Sequence, residues 1–230
     1  MKDRAVLMVH GFASSSAQSW SRFGWIEQFE ASGRRVEAPD LPGHGDAMKT
    51  SDPNGYGVME DEVHQWAVSL GPVDGIGFSL GARLALSAEA LHPGTFDRLV
   101  VGGIGSNIFS YRSPEHLAGA IEMGDADLAP ESTMAAAFVR GAQRSNNDPA
   151  ALAAFLRRPK RHRITVEELR NVQCPVLVVV GGADTMVHPV TEMTRHLAHA
   201  RTVTIPDADH LATMRSPDFL AAALEFLNTE

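Results

Sequence analysis

The chain has 230 residues, of which 44% are hydrophobic and 21% are charged, so it is long enough to bury a sizeable core as one domain with an insertion. A formal net charge of -8, without a zinc-finger spacing or a glycine-rich phosphate loop, argues against a nucleic-acid partner. The single cysteine excludes an intramolecular disulfide, and no apolar run is long enough for a signal peptide or a membrane span. These features predict a cytoplasmic protein without a membrane partner.

Short apolar runs alternate with helical patterns along most of the chain. The runs that predict strands cover residues 5–9, 35–38, 73–78, 98–103, 175–181 and 201–205. The patterns that predict helices cover residues 19–30, 58–70, 80–91, 189–199 and 217–227. This alternation implies right-handed crossovers, and therefore an α/β fold with a mostly parallel, six-stranded, doubly wound sheet.

One segment, residues 104–168, interrupts the alternation. It contains no convincing strand, and its helical pieces are separated by prolines. Because it follows the carboxyl end of a strand, where ligands bind in such sheets, we expect it to form a short helical lid over the site. Residues 1–103 and 169–230 are then predicted to form the core, and residues 104–168 are called the lid insertion below.

The pentapeptide Gly77-Phe78-Ser79-Leu80-Gly81 lies where a predicted buried strand meets a predicted helix. This is the sequence of a nucleophile elbow, in which a sharp turn pushes a serine hydroxyl clear of the sheet. Glycine is expected two residues before and after the serine because side chains there would collide with neighbouring elements. The start of the following helix also directs free N–H groups at the site, which suits an oxyanion.

A nucleophilic serine needs a base, and the base needs a carboxylate that orients it. Among ten histidines, His210 follows the last predicted strand at the carboxyl edge of the sheet. Asp184 follows the preceding strand at the same edge and is the predicted carboxylate. Asp207 and Asp209 are alternatives only because they are close to His210 in sequence. The predicted catalytic residues are therefore Ser79, Asp184 and His210, the order of the α/β-hydrolase pattern.

Five motifs together resemble the α/β-hydrolase superfamily over the whole chain: His10-Gly11-Phe12, Asp40-Leu41-Pro42-Gly43-His44-Gly45, the Ser79 elbow, Gly182-Ala183-Asp184 and Asp209-His210. The resemblance implies that the backbone N–H groups of Phe12 and Leu80 form the oxyanion hole. It also implies that the amino-terminal antiparallel hairpin of the family is missing here. Relatives that act on halides or epoxides carry aspartate in place of the serine, so those chemistries are not expected.

The leading hypothesis from these residues is a serine esterase, a hydrolase of the carboxylesterase or thioesterase type. It would cleave the ester bond of a small molecule through an acyl-enzyme, with no cofactor and no metal. Superfamily members with an intact triad can also act as small-molecule receptors with little turnover, and this second class of function stays open.

A third hypothesis comes from the elbow, which is similar to that of the menaquinone-pathway lyase that eliminates pyruvate from a cyclic intermediate. In that family an arginine at the position of Arg83 helps to hold an anionic substrate. The sequence departs from the lyase pattern at Phe78, where the family has a functional tyrosine, and at Ala82, where glycine is usual. Arg83 could equally be a helix residue that pairs with a nearby carboxylate.

The lid insertion carries a dense basic run, Arg157-Arg158-Pro159-Lys160-Arg161-His162-Arg163. Most such runs are solvated surface. If this one faces the cleft, it would favour an anionic substrate or dock an acidic carrier protein, as lid arginines do in the related biotin-pathway carboxylesterases.

Five side chains are candidate substrate-binding residues: Arg83, His10, Trp20, Phe138 and Met186. His10 directly follows the first strand, and the apolar members could line an acyl pocket. Each apolar residue taken singly is equally compatible with a place in the core.

Overall fold

The computed structural model describes residues 4–110, 113–128, 133–143, 146–159 and 161–228. In these residues six strands form one sheet: β1 (Ala5–Val9), β2 (Val36–Glu37), β3 (Val73–Phe78), β4 (Leu99–Gly102), β5 (Val176–Gly181) and β6 (Ala200–Ile205). The strand order is β2-β1-β3-β4-β5-β6, and all five pairings are parallel. The predicted doubly wound sheet is therefore confirmed.

The four central strands are buried along their whole length, because helices cover both faces of the sheet. Alternate residues of β1 enter opposite cores, as the two-residue period of a strand requires. Leu7 and Val9 belong to one core cluster, and Val6 and Met8 belong to the other, which also holds Trp25. In the edge strand β6 only Ile205 is buried, and the other residues are exposed or half-buried.

Eleven α-helices lie in the described part of the chain: α1 (Ser16–Ser19), α2 (Trp25–Ala31), α3 (Met59–Leu70), α4 (Leu80–Leu91), α5 (Glu115–Met123), α6 (Thr133–Ala142), α7 (Pro149–Arg157), α8 (Val166–Leu169), α9 (Thr191–Thr194), α10 (His210–Arg215) and α11 (Pro217–Asn228). Helices α5, α6 and α7 come from the lid insertion, whose boundaries stay a prediction. No helix in the described residues is long and apolar enough to cross a membrane.

The helix predicted over residues 19–30 is interrupted in the structure. A short 3₁₀ turn, Ser21–Phe23, separates α1 from α2, and Gly24 adopts a left-handed conformation with φ of 74° at the junction. Glycine tolerates this conformation, so the chain changes direction there while Trp25 and Phe29 still reach the core.

The helix predicted over residues 189–199 is only the single turn of α9, and α10 was not predicted. Asp209 begins α10, because its side chain accepts a hydrogen bond from the backbone N–H of Ala212 at 2.7 Å. His210 is thus the first residue of a helix rather than part of an open loop.

Candidate active site

The elbow has the geometry that its sequence predicts. Ser79 lies between β3 and α4 with φ of 53° and ψ of −111°, a conformation that is strained for a residue with a side chain. Its backbone N–H donates to the carbonyl oxygen of Gly102 at 2.8 Å, which ties the turn to β4. A Cβ atom on Gly77 would lie 2.6 Å from the backbone of Ala82, so the turn can close only with glycine there.

We expect Gly81→Ala to destabilise the fold strongly, because a Cβ atom on Gly81 would overlap the backbone oxygens of Val9 and His10. A clash with backbone cannot be relieved by a change of rotamer, so a loss of roughly 3 kcal/mol or more in the free energy of unfolding is expected. Urea denaturation measures it. The matched control is Gly119→Ala in α5, where a Cβ atom meets nothing within 4 Å and should not destabilise. Equal effects of the two variants would contradict the steric argument.

Asp184 and His210 form a buried pair at the carboxyl edge of the sheet. His210 Nδ1 lies 2.7 Å from Asp184 Oδ2, and the two side chains are 3% and 1% exposed. The other carboxylate oxygen accepts from the backbone N–H of Met186 at 3.0 Å. With Nδ1–H donating to the carboxylate, Nε2 carries the lone pair, and this buried atom has no hydrogen-bond partner among the described residues.

The alternative carboxylates lie elsewhere. Asp207 is exposed, with φ of 56°, and Asp209 is exposed and uses its side chain to cap α10. The imidazole of His210 packs closely against Gly103. A Cβ atom on Gly103 would lie only 2.9 Å from His210 Cε1, so glycine leaves room for the ring. The ring also lies against Phe78, with ring centroids 5.0 Å apart.

The loop after β1 runs directly beside the elbow. A Cβ atom on Gly11 would lie 3.6 Å from Ser79 Cβ and 3.5 Å from the carbonyl oxygen of Phe78, which are ordinary contact distances. The amide groups of Phe12 and Leu80 therefore belong to the two segments that meet at Ser79. Leu80 is the first residue of α4, where backbone N–H groups have no partner within the helix.

His10 holds the loop after β1 in place through two hydrogen bonds. Its Nε2 accepts a hydrogen bond from the backbone N–H of Leu41 at 2.9 Å, so Nδ1 carries the proton and donates to the carbonyl oxygen of Gly11 at 2.8 Å. Burial lowers the pKa of His10, although the nearby Asp40 carboxylate opposes this. A neutral His10 thus joins the end of β1 to the segment that contains Leu41.

A second buried histidine, His44, lies beside His10 at 5.4 Å between ring centroids. Burial, followed by the charge of a protonated His10, lowers the pKa of His44 well below its ordinary value of 6.5. Below pH 6.5 the unfolded chain binds a proton at this position that the folded protein does not bind. Folding stability is therefore lost as the pH falls from 6.5 towards the lower pKa of the folded state, by up to about 1.4 kcal/mol per pH unit for this one proton.

We expect His44→Gln to reduce the dependence of the unfolding free energy on pH over this range. His116→Gln replaces an exposed histidine of α5 and serves as the control, because it should leave that dependence unchanged. The measurement is urea denaturation at a series of pH values between neutral and mildly acidic. The slope is compared rather than the absolute stability, since His44→Gln also changes packing. A slope identical to that of the unmodified protein would contradict the assignment.

Ser79 and His210 line the same pocket, whose volume is about 300 Å³. Phe12 and Phe138 form part of its apolar wall and pack edge to face, with ring centroids 5.4 Å apart. Phe138 lies on α6, so the lid insertion covers the pocket from one side. No group of three or more histidine, cysteine or acidic side chains in the described residues is arranged to hold a metal ion.

The other four candidate substrate-binding residues do not line this pocket. The guanidinium of Arg83 donates to the backbone carbonyl oxygens of Asn107 and Ile108, and burial lowers its pKa. Trp20 is fully buried against Trp25, and His10 is fully buried beneath the loop. Met186 is 36% exposed, in the turn beside Asp184.

The described members of the basic run also lie outside the pocket lining. Arg157 forms ion pairs with Glu115 and Glu122 of α5. Arg158 is buried with its guanidinium 3.8 Å from the centre of the Phe155 ring, and burial lowers its pKa to about 10. Lys160 lies outside the described residues. Docking of an acidic carrier protein here stays a prediction.

Three residues that sequence reasoning missed do line the pocket: Arg22, Arg140 and Arg215. They come from the 3₁₀ turn before α2, from α6 and from the end of α10. No motif or spacing connects them, because only the tertiary fold brings them to the lining of one pocket.

Comparisons with known proteins agree with this architecture. A carboxylesterase of the ammonia-oxidizing thaumarchaeon Nitrososphaera gargenis superposes with a TM-score of 0.72 at 20% identity, covering 97% of this chain and 89% of that chain. A thermophilic esterase from Thermogutta terrifontis, with malate bound, superposes with a TM-score of 0.70 at 22% identity. The match covers 97% of this chain and 89% of that chain. MenH from S. aureus superposes with a TM-score of 0.73 at 18% identity, and the match covers 98% of this chain and 93% of that chain.

At these identities the solved structures establish the fold, and no curated protein matches the sequence. The family model provides the stronger comparison. The model described as the alpha/beta hydrolase family matches residues 6–223, a range that includes Ser79, Asp184 and His210. The chain therefore belongs to the alpha/beta hydrolase family.

Proposed function

We propose that the protein is a serine hydrolase that cleaves a small ester or thioester through an acyl-enzyme. The observation that carries the proposal is the arrangement of Asp184, His210 and Ser79. A buried carboxylate holds one nitrogen of His210. The other nitrogen has no hydrogen-bond partner among the residues that the structure describes, and His210 and the strained Ser79 line the same pocket. The esterase neighbours support the same class of reaction.

In the first half of the proposed reaction, Ser79 Oγ attacks the carbonyl carbon of the substrate while His210 Nε2 takes the hydroxyl proton. The carbonyl oxygen becomes an oxyanion, which accepts hydrogen bonds from the backbone N–H groups of Phe12 and Leu80. Collapse of the tetrahedral intermediate breaks the bond to the leaving alcohol or thiol, and His210 returns the proton to that group. The acyl group stays on Ser79.

In the second half, a water molecule gives a proton to His210 Nε2 and attacks the acyl carbon. The second tetrahedral intermediate collapses, the bond to Ser79 Oγ breaks, and His210 gives the proton back to the serine. Asp184 keeps its negative charge throughout, orients the imidazole and stabilises the imidazolium. These steps balance without a cofactor or a metal.

The hydrolase is favoured over the lyase hypothesis by the position of Arg83. In the lyase hypothesis this arginine holds the anionic substrate, but here its guanidinium donates to two loop carbonyl oxygens and does not line the pocket. Phe78 also provides no hydroxyl where the lyase pattern has tyrosine.

The experiment that tests the proposal is labelling with a fluorophosphonate followed by mass spectrometry. We expect one adduct on Ser79 in the unmodified protein and none in Ser79→Ala or His210→Ala, because phosphonylation needs both the nucleophile and its base. Ser14→Ala is the matched control, since this hydroxyl lines the same pocket but bonds to Ser19 Oγ at 2.8 Å, and it should keep the adduct. Labelling that persists in Ser79→Ala would refute the assignment.

A further inference from the structure

The charged side chains around the Ser79 pocket are all positive. Arg22, Arg140 and Arg215 line it from three different elements, and no aspartate or glutamate is among its lining residues. The chain as a whole has 28 acidic and 20 basic residues, excluding histidine. The pocket lining, with three cationic and no acidic side chains, therefore has the opposite charge to the chain as a whole.

No ion pair with a carboxylate of the described residues neutralises these three guanidinium groups. Within the described ranges, none of them forms an ion pair or a side-chain hydrogen bond, and the one charge-related contact is that of Arg22 with the Phe23 ring at 5.7 Å. Other arginines of the chain differ in this respect, since Arg34 pairs with Asp74 and Arg157 with two glutamates. The pocket arginines are also exposed, so they can reach a bound ligand.

We propose that Arg22, Arg140 and Arg215 bind an anionic group of the substrate, a carboxylate or a phosphate separate from the bond that is cleaved. The substrate is then a small anionic ester, and this inference rests on the proposed function of Ser79. Guanidinium groups bind both kinds of anion through paired N–H donors, and a cleft walled by apolar groups strengthens their field. Phe12, Phe138 and Met214 provide that wall and would cover the carbon chain.

The test compares the methyl half-esters of succinate, adipate and suberate with the corresponding dimethyl esters, which lack the charge. We expect kcat/KM for the best half-ester to exceed that of its dimethyl ester by about tenfold or more, and the ratio to fall as salt is added. Arg22→Gln, Arg140→Gln and Arg215→Gln should each lower this ratio. Arg201→Gln, which removes an exposed charge from β6, should leave the ratio and the rates unchanged.

Equilibrium binding separates the anion site from the chemistry. Ser79→Ala is titrated calorimetrically with adipate and with inorganic phosphate. The site is supported if either anion binds and an arginine substitution weakens that binding about tenfold. The anion with the lower Kd then identifies the kind of group that the site prefers. No binding of either, or binding that the arginine substitutions leave unchanged, overturns it.

The two proposals fail in different ways. Turnover that depends on Ser79 but shows no preference for half-esters refutes the anion site and leaves the hydrolase intact. Turnover that survives in Ser79→Ala refutes the hydrolase assignment, while the titrations still decide the anion site.

Discussion

Replacement of Ser79 by alanine is expected to lower kcat for ester hydrolysis by a factor on the order of 10⁶. The hydroxyl is the proposed nucleophile, and without it neither half of the acyl-enzyme reaction can occur. Alanine removes one oxygen atom from a position that is not fully buried, so the fold should survive. The measurement is steady-state hydrolysis of an activated ester, with circular dichroism and urea denaturation to verify folding.

Ser14→Ala provides the comparison for this result. Ser14 lines the same pocket, but its hydroxyl is hydrogen-bonded to Ser19 and is not placed on an elbow. We expect kcat to fall by less than about tenfold, which corresponds to the net loss of one neutral hydrogen bond. If Ser14→Ala were as damaging as Ser79→Ala, the nucleophile would be misassigned.

The second large effect is expected from Asp184→Asn, which should reduce kcat by about 10⁴. The amide is nearly isosteric with the carboxylate, but its NH₂ group cannot accept the proton of His210 Nδ1 and no negative charge remains to stabilise the imidazolium. The imidazole then adopts the wrong tautomer for a base at Nε2. Packing around the 2% exposed Asp184 should change little, so the loss appears in kcat and not in folding.

Asp209→Asn is the matched control, because it is the same substitution on the residue adjacent to His210. Asparagine caps helices about as well as aspartate, so α10 and the position of His210 should be kept. Activity close to that of the unmodified protein is expected. A large loss in Asp209→Asn together with a small loss in Asp184→Asn would instead assign the orienting carboxylate to Asp209.

The sheet and the positions of the three proposed catalytic residues could be predicted because each depends on local pattern. Buried parallel strands are continuous apolar runs, and the residue that follows such a strand lies at the carboxyl edge whatever the details of the connection. Ser79 and Asp184 follow buried strands in this way, and His210 follows the more exposed edge strand β6. Gly77 is fixed equally locally, by a clash with the backbone of Ala82, whereas the clash that requires Gly81 is with Val9 and His10 at the distant end of β1.

The parts that could not be predicted depend on distant contacts. Arg83 and Arg157 are charges on helices, and nothing nearby in sequence shows that one bonds to loop carbonyl oxygens and the other to two glutamates of α5. Arg22, Arg140 and Arg215 are separated by long stretches of chain and line one pocket only once the fold has formed. The break at Gly24 was missed because the apolar spacing continues across it.

Helix α6 carries Phe138 and Arg140 to the pocket from the lid insertion, whose described residues contribute no strand to the sheet. Part of the proposed substrate contact therefore lies on a stretch of the gene that is separate from Ser79, Asp184 and His210. Under the proposed function, changes within residues 133–142 alter which molecules are accepted while the pair formed by Asp184 and His210 stays intact. This short segment is accordingly the first place to introduce diversity when evolving the protein towards a new substrate in the laboratory.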